Sequence, residues 1–120
     1  MRIDFNDIVP IYVQIADAIE DDILSGKLKE GDKCYSQLVI EKELNINPAT
    51  AAKGIRILVE RDILEKVRVQ AMTIKAGAVE MIKERKTSDT LSILIDNLIS
   101  EAKKLGITKD NLLRQLSEKF

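Results

Sequence analysis

The chain has no histidine and no tryptophan, one cysteine, two prolines, two tyrosines and two phenylalanines in 120 residues. Each scarcity excludes something. Without histidine the commonest general base and metal ligand is missing. No glycine-rich phosphate loop and no zinc-spaced set of cysteines occurs. Asp21-Asp22 and Glu41/Glu43 are carboxylate pairs, but nothing in the pattern converges on them, and solvated helix faces account for them. No enzyme is expected, and no cofactor or metal. Cys34 alone makes no internal disulfide, which fits a reducing cytoplasm. No apolar run approaches ~20 residues, so no membrane span is expected. The opening Met1-Arg2-Ile3-Asp4-Phe5-Asn6-Asp7 is mixed and polar, unlike a secretory signal. With so few aromatic side chains, the core must be aliphatic.

What is present fits a soluble, globular chain: 45% hydrophobic and 32% charged residues, with a net charge of −1. Such a charge is unlike that of a simple nucleic-acid binder, but its distribution is uneven. Met1 to Ile46 carries five Lys/Arg and ten Asp/Glu, Asn47 to Lys75 six and three, Ala76 to Phe120 eight and seven. The middle segment is the most basic. Phosphate attraction depends on local potential, so an acidic whole does not exclude DNA.

That middle segment opens with a helix signal. Asn47 suits the N-cap and Pro48 the first helical position. Ala51, Ile55, Leu58 and Val59 then recur at helical spacing as an inner stripe. Ala49, Thr50, Lys53 and Arg56 fall on other faces, near the exposed N-terminal end. A short helix from Gln37 to Leu44 lies just upstream, with Ser36 as its cap and Val39, Ile40 and Leu44 as its inner face. Two short helices on a tight turn, the second led by small polar and basic residues, predict a helix-turn-helix with a recognition helix.

Around this pair the order is regular. Pro10 starts a first helix with the stripe Ile11, Ile15, Ala18/Ile19 and Ile23, and Gly26 suits its left-handed end. Lys27 to Tyr35 reads as a polar loop with Gly31-Asp32 as a turn. Ile63 to Val69 and Ala71 to Ile74 read as a short hairpin, although Val67-Arg68-Val69-Gln70 carries no turn residue. Helix, helix-turn-helix and hairpin, in that order, predict a winged helix.

Ala76-Gly77 reads as a hinge, and helical periodicity resumes at Ala78. Lys83 to Asp89 interrupts the apolar stripe, which continues at Leu91, Leu94/Ile95, Leu98, Ala102 and Leu105, with Ile93 and Ile99 widening it. Thr108 caps a last helix bearing Leu112, Leu113, Leu116 and Phe120. The tail is too short to enclose a ligand cavity, and its broad apolar face needs a partner. A second copy of the chain is the economical one; packing back on the same chain is the alternative. The expected class is mainly α (α+β): a winged helix-turn-helix over residues 1–76 with a small two-stranded wing, then a two-helix dimerisation tail over 77–120.

The residues also resemble a known family. Pro10-Ile11-Tyr12-Val13-Gln14-Ile15 with Leu24-Ser25-Gly26-Lys27-Leu28, then Asn45-Ile46-Asn47-Pro48-Ala49-Thr50-Ala51-Ala52-Lys53-Gly54 and Leu58-Val59-Glu60-Arg61-Asp62-Ile63-Leu64, are similar to the GntR family of winged-helix regulators. The short tail ending Lys103-Lys104-Leu105-Gly106-Ile107-Thr108 resembles the YtrA-type subfamily, whose tail dimerises instead of binding a metabolite. Two departures stand out. The family's Leu-Pro-Ser-x-Arg entry to the second helix is here Cys34-Tyr35-Ser36-Gln37-Leu38. Its glycine-rich wing tip is here Arg68-Val69-Gln70-Ala71-Met72-Thr73-Ile74. Ser36, Asn47, Pro48, Thr50, Lys53 and Arg68 match.

The resemblance implies a sequence-specific repressor that binds a two-fold symmetric, double-stranded DNA operator as a homodimer. Half-sites would lie about 10 bp apart or somewhat more. Ala49, Thr50 and Lys53 would then lie nearest the base edges; Tyr35, Ser36, Gln37 and Arg56 would sit near phosphates; Lys66, Arg68 and Gln70 would serve the wing. A small-molecule effector is left open. Leu38 and the glycine-free wing keep a second reading open: a winged helix with weakened or lost DNA binding that serves a protein partner.

Overall fold

A computed structural model describes residues 1–67 and 71–120. The chain forms two compact units, Met1–Lys83 and Glu84–Phe120.

In the first unit, α1 (Ile11–Leu24) starts directly after Pro10, whose carbonyl accepts from both Val13 and Gln14 N–H at 3.1 Å. Ile15, Ala16, Ile19 and Ile23 line its buried side. Gly26, at φ 84°, follows its end, where a side chain would be strained. In α2 (Gln37–Leu44) the Ser36 hydroxyl caps by accepting from Val39 N–H at 3.1 Å. Asn45 takes a left-handed conformation, and the chain turns into α3 (Pro48–Glu60). There the Asn47 side-chain oxygen accepts from Ala49 N–H at 2.7 Å. Both expected caps are therefore made.

Two inner faces differ from expectation. On α2, Ile40 is buried and Leu44 half-buried, but Val39 is 49% exposed. Positions 40 and 44 share one side of a helix, and a two-turn helix buries only a narrow arc, about 100° away from residue 39. On α3 the buried line is Ala51, Gly54 and Leu58, with Ile55 half-buried and Val59 37% exposed. The face is centred on Gly54 because the absent side chain lets α1 come close.

Asp62, at φ 65°, ends the α3 region. The wing follows: β1 (Leu64–Lys66) pairs antiparallel with β2 (Met72–Ile74), with Leu64 opposite Ile74 and Lys66 opposite Met72. The strands are shorter than the expected hairpin, and Arg68, Val69 and Gln70 lie outside the described residues. The expected polar loop before α2 is partly sheet-like. Gly31 N–H donates to Ile74 O, Ile74 N–H to Asp32 O and Cys34 N–H to Met72 O, each at 2.8 Å, so this segment runs along the outer side of β2. It also buries Leu28 and Cys34.

Helix α4 (Ala78–Arg85) begins after Gly77 and is capped from a distance. The Glu30 carboxylate accepts from Gly77 N–H at 2.7 Å and from Val79 N–H at 3.3 Å. Ala78 and Ile82 enter the first unit's core. The compact division therefore falls between Lys83 and Glu84, where the sequence suggested Ala76-Gly77. As the shortage of aromatics implied, the core is aliphatic, built largely of Ile, Leu and Ala. Its one buried charged side chain, among the described residues, is Glu20, whose Oε1 lies 3.0 Å from Nη1 of Arg61.

The helical tract expected from Ala78 continues through Lys83 to Asp89, where solvated residues interrupt the apolar stripe and not the helix. A π-helical segment, Lys86–Leu91, leads into α5 (Ser92–Lys104). Ser88 Oγ donates to the Glu84 and Arg85 carbonyls at 3.0 and 3.2 Å, holding the wider turn. Polar composition marked this stretch as surface, and surface is compatible with helix. Gly106, at φ 70°, turns the chain into α6 (Lys109–Lys119), where the Thr108 hydroxyl accepts from Asn111 N–H at 3.2 Å.

Candidate nucleic-acid interface

The buried line of Ala51, Gly54 and Leu58 fixes which side of α3 points outward. Lys53 lies three residues after Thr50 and four after Ala49, so its side chain neighbours both on the helix surface. Ala49 and Lys53 are exposed, and Thr50 is half-buried. Pro48, exposed, shapes the first turn and carries no N–H; Asn47 is occupied by capping, so both shape the end of the helix. Arg56 is exposed one turn further on.

Lys53 is held. Its ammonium sits 4.0 Å from the centroid of the Tyr12 ring on α1. Sequence reasoning passed over Tyr12, because nothing within α1 says which side chain of α3 will lie beside it.

The α2 entry lies close to the wing. Tyr35, Gln37, Ile55, Lys66 and Met72 help line a groove of about 250 Å³. Ser36 and Gln37 are exposed there, but their polar atoms have internal partners. Ser36 caps α2, while the Gln37 amide donates to Glu41 at 3.1 Å and to the Pro48 carbonyl at 3.3 Å, tying α2 to the start of α3. Tyr35 is more committed still. Its hydroxyl donates to the Asp22 carboxylate at 2.6 Å, and partial burial, helped by that bond, pushes its pKa up to about 12. Tyr35 and Gln37 thus brace the interface internally. Leu38, where the family usually has Arg, is 57% exposed. Lys66 is exposed at the end of β1; Arg68 and Gln70 lie outside the described residues.

In the second unit, Leu91, Leu94, Ile95, Leu98, Ile99, Leu105, Leu113 and Leu116 are exposed and Leu112 is half-buried. Ile95, Leu98, Ile99, Leu112, Leu113 and Leu116 line an apolar groove of about 510 Å³. Ala102 is the exception. It is buried within the unit, where Ile107 N–H returns to its carbonyl at 2.9 Å and the turn folds back over it.

Among the described residues no cluster of His, Cys, Asp or Glu has the geometry of a metal site, and no helix is long and apolar enough to cross a membrane. A capped recognition helix, a bracing α2 and a two-stranded wing define a winged helix-turn-helix DNA-binding regulator.

Comparison with known proteins gives the family. No family model matches the chain. It is 31% identical over 106 residues to the helix-turn-helix-type transcriptional regulator YhcF of Bacillus subtilis, covering 87% of this chain and 84% of that protein. It is 27% identical over 118 residues to the transcriptional repressor YtrA of B. subtilis, covering 98% and 90%. A GntR family transcriptional regulator from Listeria monocytogenes superposes with a TM-score of 0.76 at 30% identity, covering 95% of this chain and 98% of that one. Another relative, 35% identical over 66 residues, is a longer protein, of which this chain spans 28%. The chain belongs to the GntR family of DNA-binding transcriptional regulators; it is not an enzyme.

Proposed function

We propose that the chain is a repressor that binds a two-fold symmetric operator as a homodimer in the cytoplasm. The observation that carries this reading is the exposed face of α3 at its capped end, where small Ala49, half-buried Thr50 and the cation of Lys53 stand together. A face of this size and chemistry suits the major groove. Lys53 donates to guanine acceptors, while Ala49 and the Thr50 methyl meet thymine methyls. Arg56 supplies a phosphate contact, Ser36 and Gln37 place the α2 backbone near the same strand, and Lys66, Arg68 and Gln70 serve the wing. Repression follows the reading of YtrA, which is named a repressor.

The second copy joins through the tail. Supporting this, the groove lined by Ile95, Leu98, Ile99, Leu112, Leu113 and Leu116 is apolar, and such a face is stabilised by packing against a partner. Two copies bring two recognition helices to two half-sites. In this reading the expected domain division is also functional: DNA binding resides in the winged helix and dimerisation in the tail.

Selection of bound duplexes from a random pool, followed by gel shift at ~100 mM salt, tests operator recognition. The enriched sequence should be a palindrome, bound far more tightly than random DNA, and Lys53→Ala should remove most of that preference. Binding no tighter than to random DNA refutes the reading. Sedimentation should give twice 13.5 kDa, and Leu98→Glu with Ile99→Glu should halve it; a monomeric wild type refutes the dimer.

The alternative, a winged helix serving a protein partner, draws on the exposure of Leu38. It predicts that Lys53→Ala leaves function in cells unchanged and that Leu38→Arg abolishes it.

A further inference from the structure

Lys53 and Tyr12 meet where α1 and α3 are closest. A Cβ placed on Gly54, the residue after Lys53, would lie 2.9 Å from Cγ2 of Ile15 and 3.2 Å from the Tyr12 carbonyl oxygen. No side chain larger than hydrogen fits between the helices there, and this separation brings the Tyr12 ring to 4.0 Å from the Lys53 ammonium. The two partners differ in freedom. Tyr12 sits in the first turn of α1, half-buried, with two side-chain torsions. Lys53 is exposed and carries four, so by itself it would sample many rotamers. Attraction between a cation and a ring face narrows that ensemble before any ligand arrives.

We propose that Tyr12 is a specificity-determining positioning residue of the DNA-binding face: its ring holds the Lys53 ammonium in place for one acceptor on the operator. Tyr12 itself does not touch DNA. The inference rests on the reading that Lys53 contacts DNA. Specificity follows because a held cation favours the duplex whose acceptor lies where it points. Random duplexes offer mainly phosphates, which a freely moving lysine reaches as well as a held one.

The test uses the full chain, the duplex selected from a random pool, and a random duplex of equal length. Tyr12→Leu should weaken binding to the selected duplex about three- to tenfold, for two half-sites that each lose roughly two- to threefold. Binding to the random duplex should change less than about twofold by the same reasoning. Tyr12→Phe, which keeps the ring, should bind as wild type does. Tyr12→Leu added to Lys53→Ala should cost nothing further. In the free protein, ring current should shift the Lys53 ε-methylene protons upfield in wild type and Tyr12→Phe but not in Tyr12→Leu. That measurement needs no DNA, and wild type alone suffices if Tyr12→Leu does not fold.

Several results overturn the proposal: an unshifted ε-methylene in wild type, a loss that persists in the Lys53→Ala background, or tighter binding by Tyr12→Leu, which would mean that the ring withholds the lysine. If Lys53→Ala weakens binding and folded Tyr12→Leu does not, this proposal fails and the reading of Lys53 stands. If Lys53→Ala changes nothing, that reading fails, and this proposal with it.

Discussion

Gly54 and Ile15 mark the closest approach of the recognition helix to α1: a Cβ at position 54 would stand 2.9 Å from Cγ2 of Ile15. The methyl it would strike belongs to a β-branched, fully buried side chain, so the helices themselves must part.

Gly54→Ala is therefore expected to destabilise the protein despite alanine's better helix propensity. Propensity gains about 1 kcal/mol, while overpacking costs about 1–3 kcal/mol. A net loss near 1 kcal/mol would lower Tm by roughly 4–8 °C for a domain of this size. Calorimetry decides it, and a Tm equal to or above that of wild type would show that α1 yields without cost. Operator affinity should fall as well, because the shift occurs beside Lys53.

The Glu20–Arg61 pair is expected to act as a clamp between α1 and the end of α3. Glu20 is buried, Arg61 lies 3.0 Å from it, and Asp17 flanks Arg61 at 3.6 Å. Removing one partner of a buried pair costs about 3–5 kcal/mol. Arg61→Met should fall toward the low end, since Arg61 is partly solvated, and Glu20→Met together with Arg61→Met should recover much of the loss. Urea titration of the single and double variants measures this; additive losses would argue against a coupled pair.

Alkaline stability should depend on Cys34 and Tyr35. Burial in the core pushes the Cys34 thiol from 9.0 up to about 11, and partial burial with the bond to Asp22 pushes Tyr35 from 10.0 up to about 12. Both folded values are raised, so both contributions are complete below the unfolded pKa and are lost as pH rises through the folded one. Unfolding free energy should fall from pH 9 to 12. Cys34→Ala should flatten the curve between pH 9 and 11, and Tyr35→Phe between pH 10 and 12. Curves parallel to wild type in both variants would show that other groups carry the alkaline loss.

Glu30 should matter to α4 more than its exposure suggests. Its two oxygens accept from Gly77 and Val79 N–H, groups that a helix start leaves without internal partners. Glu30→Ala is expected to cost about 1 kcal/mol, typical of a lost cap, and Glu30→Gln less, since an amide keeps one acceptor. Amide hydrogen exchange at Val79 should rise in parallel; unchanged protection would mean that the cap is redundant.

Most local features were readable without coordinates. Asn47, Ser36 and Thr108 were identified as caps because a helix start leaves N–H groups that a short polar side chain satisfies, and this requirement concerns only neighbouring residues. The stripe of α1 was readable because fourteen residues provide several repeats of the period. Eight residues of α2 provide two, too few to decide between Val39 and Ile40. The wing was recognised by its β-branched residues. The backbone pairing of residues 31–34 with β2 was not, since a single bridged residue leaves little trace in composition.

The recognition helix itself was determined by the sequence: where it starts, which residue caps it, and that Ala49, Thr50 and Lys53 share a face. Those are consequences of spacing along one chain. What only the tertiary structure decided was everything that crosses between elements. Gly54 became the contact with Ile15, Glu20 found Arg61, Glu30 reached the start of α4, and Tyr12 came to lie beneath Lys53. Each of these contacts joins residues 39 to 49 positions apart along the chain. No period or cap preference acts over such a separation; packing brings these residues together, and packing is a property of the folded whole.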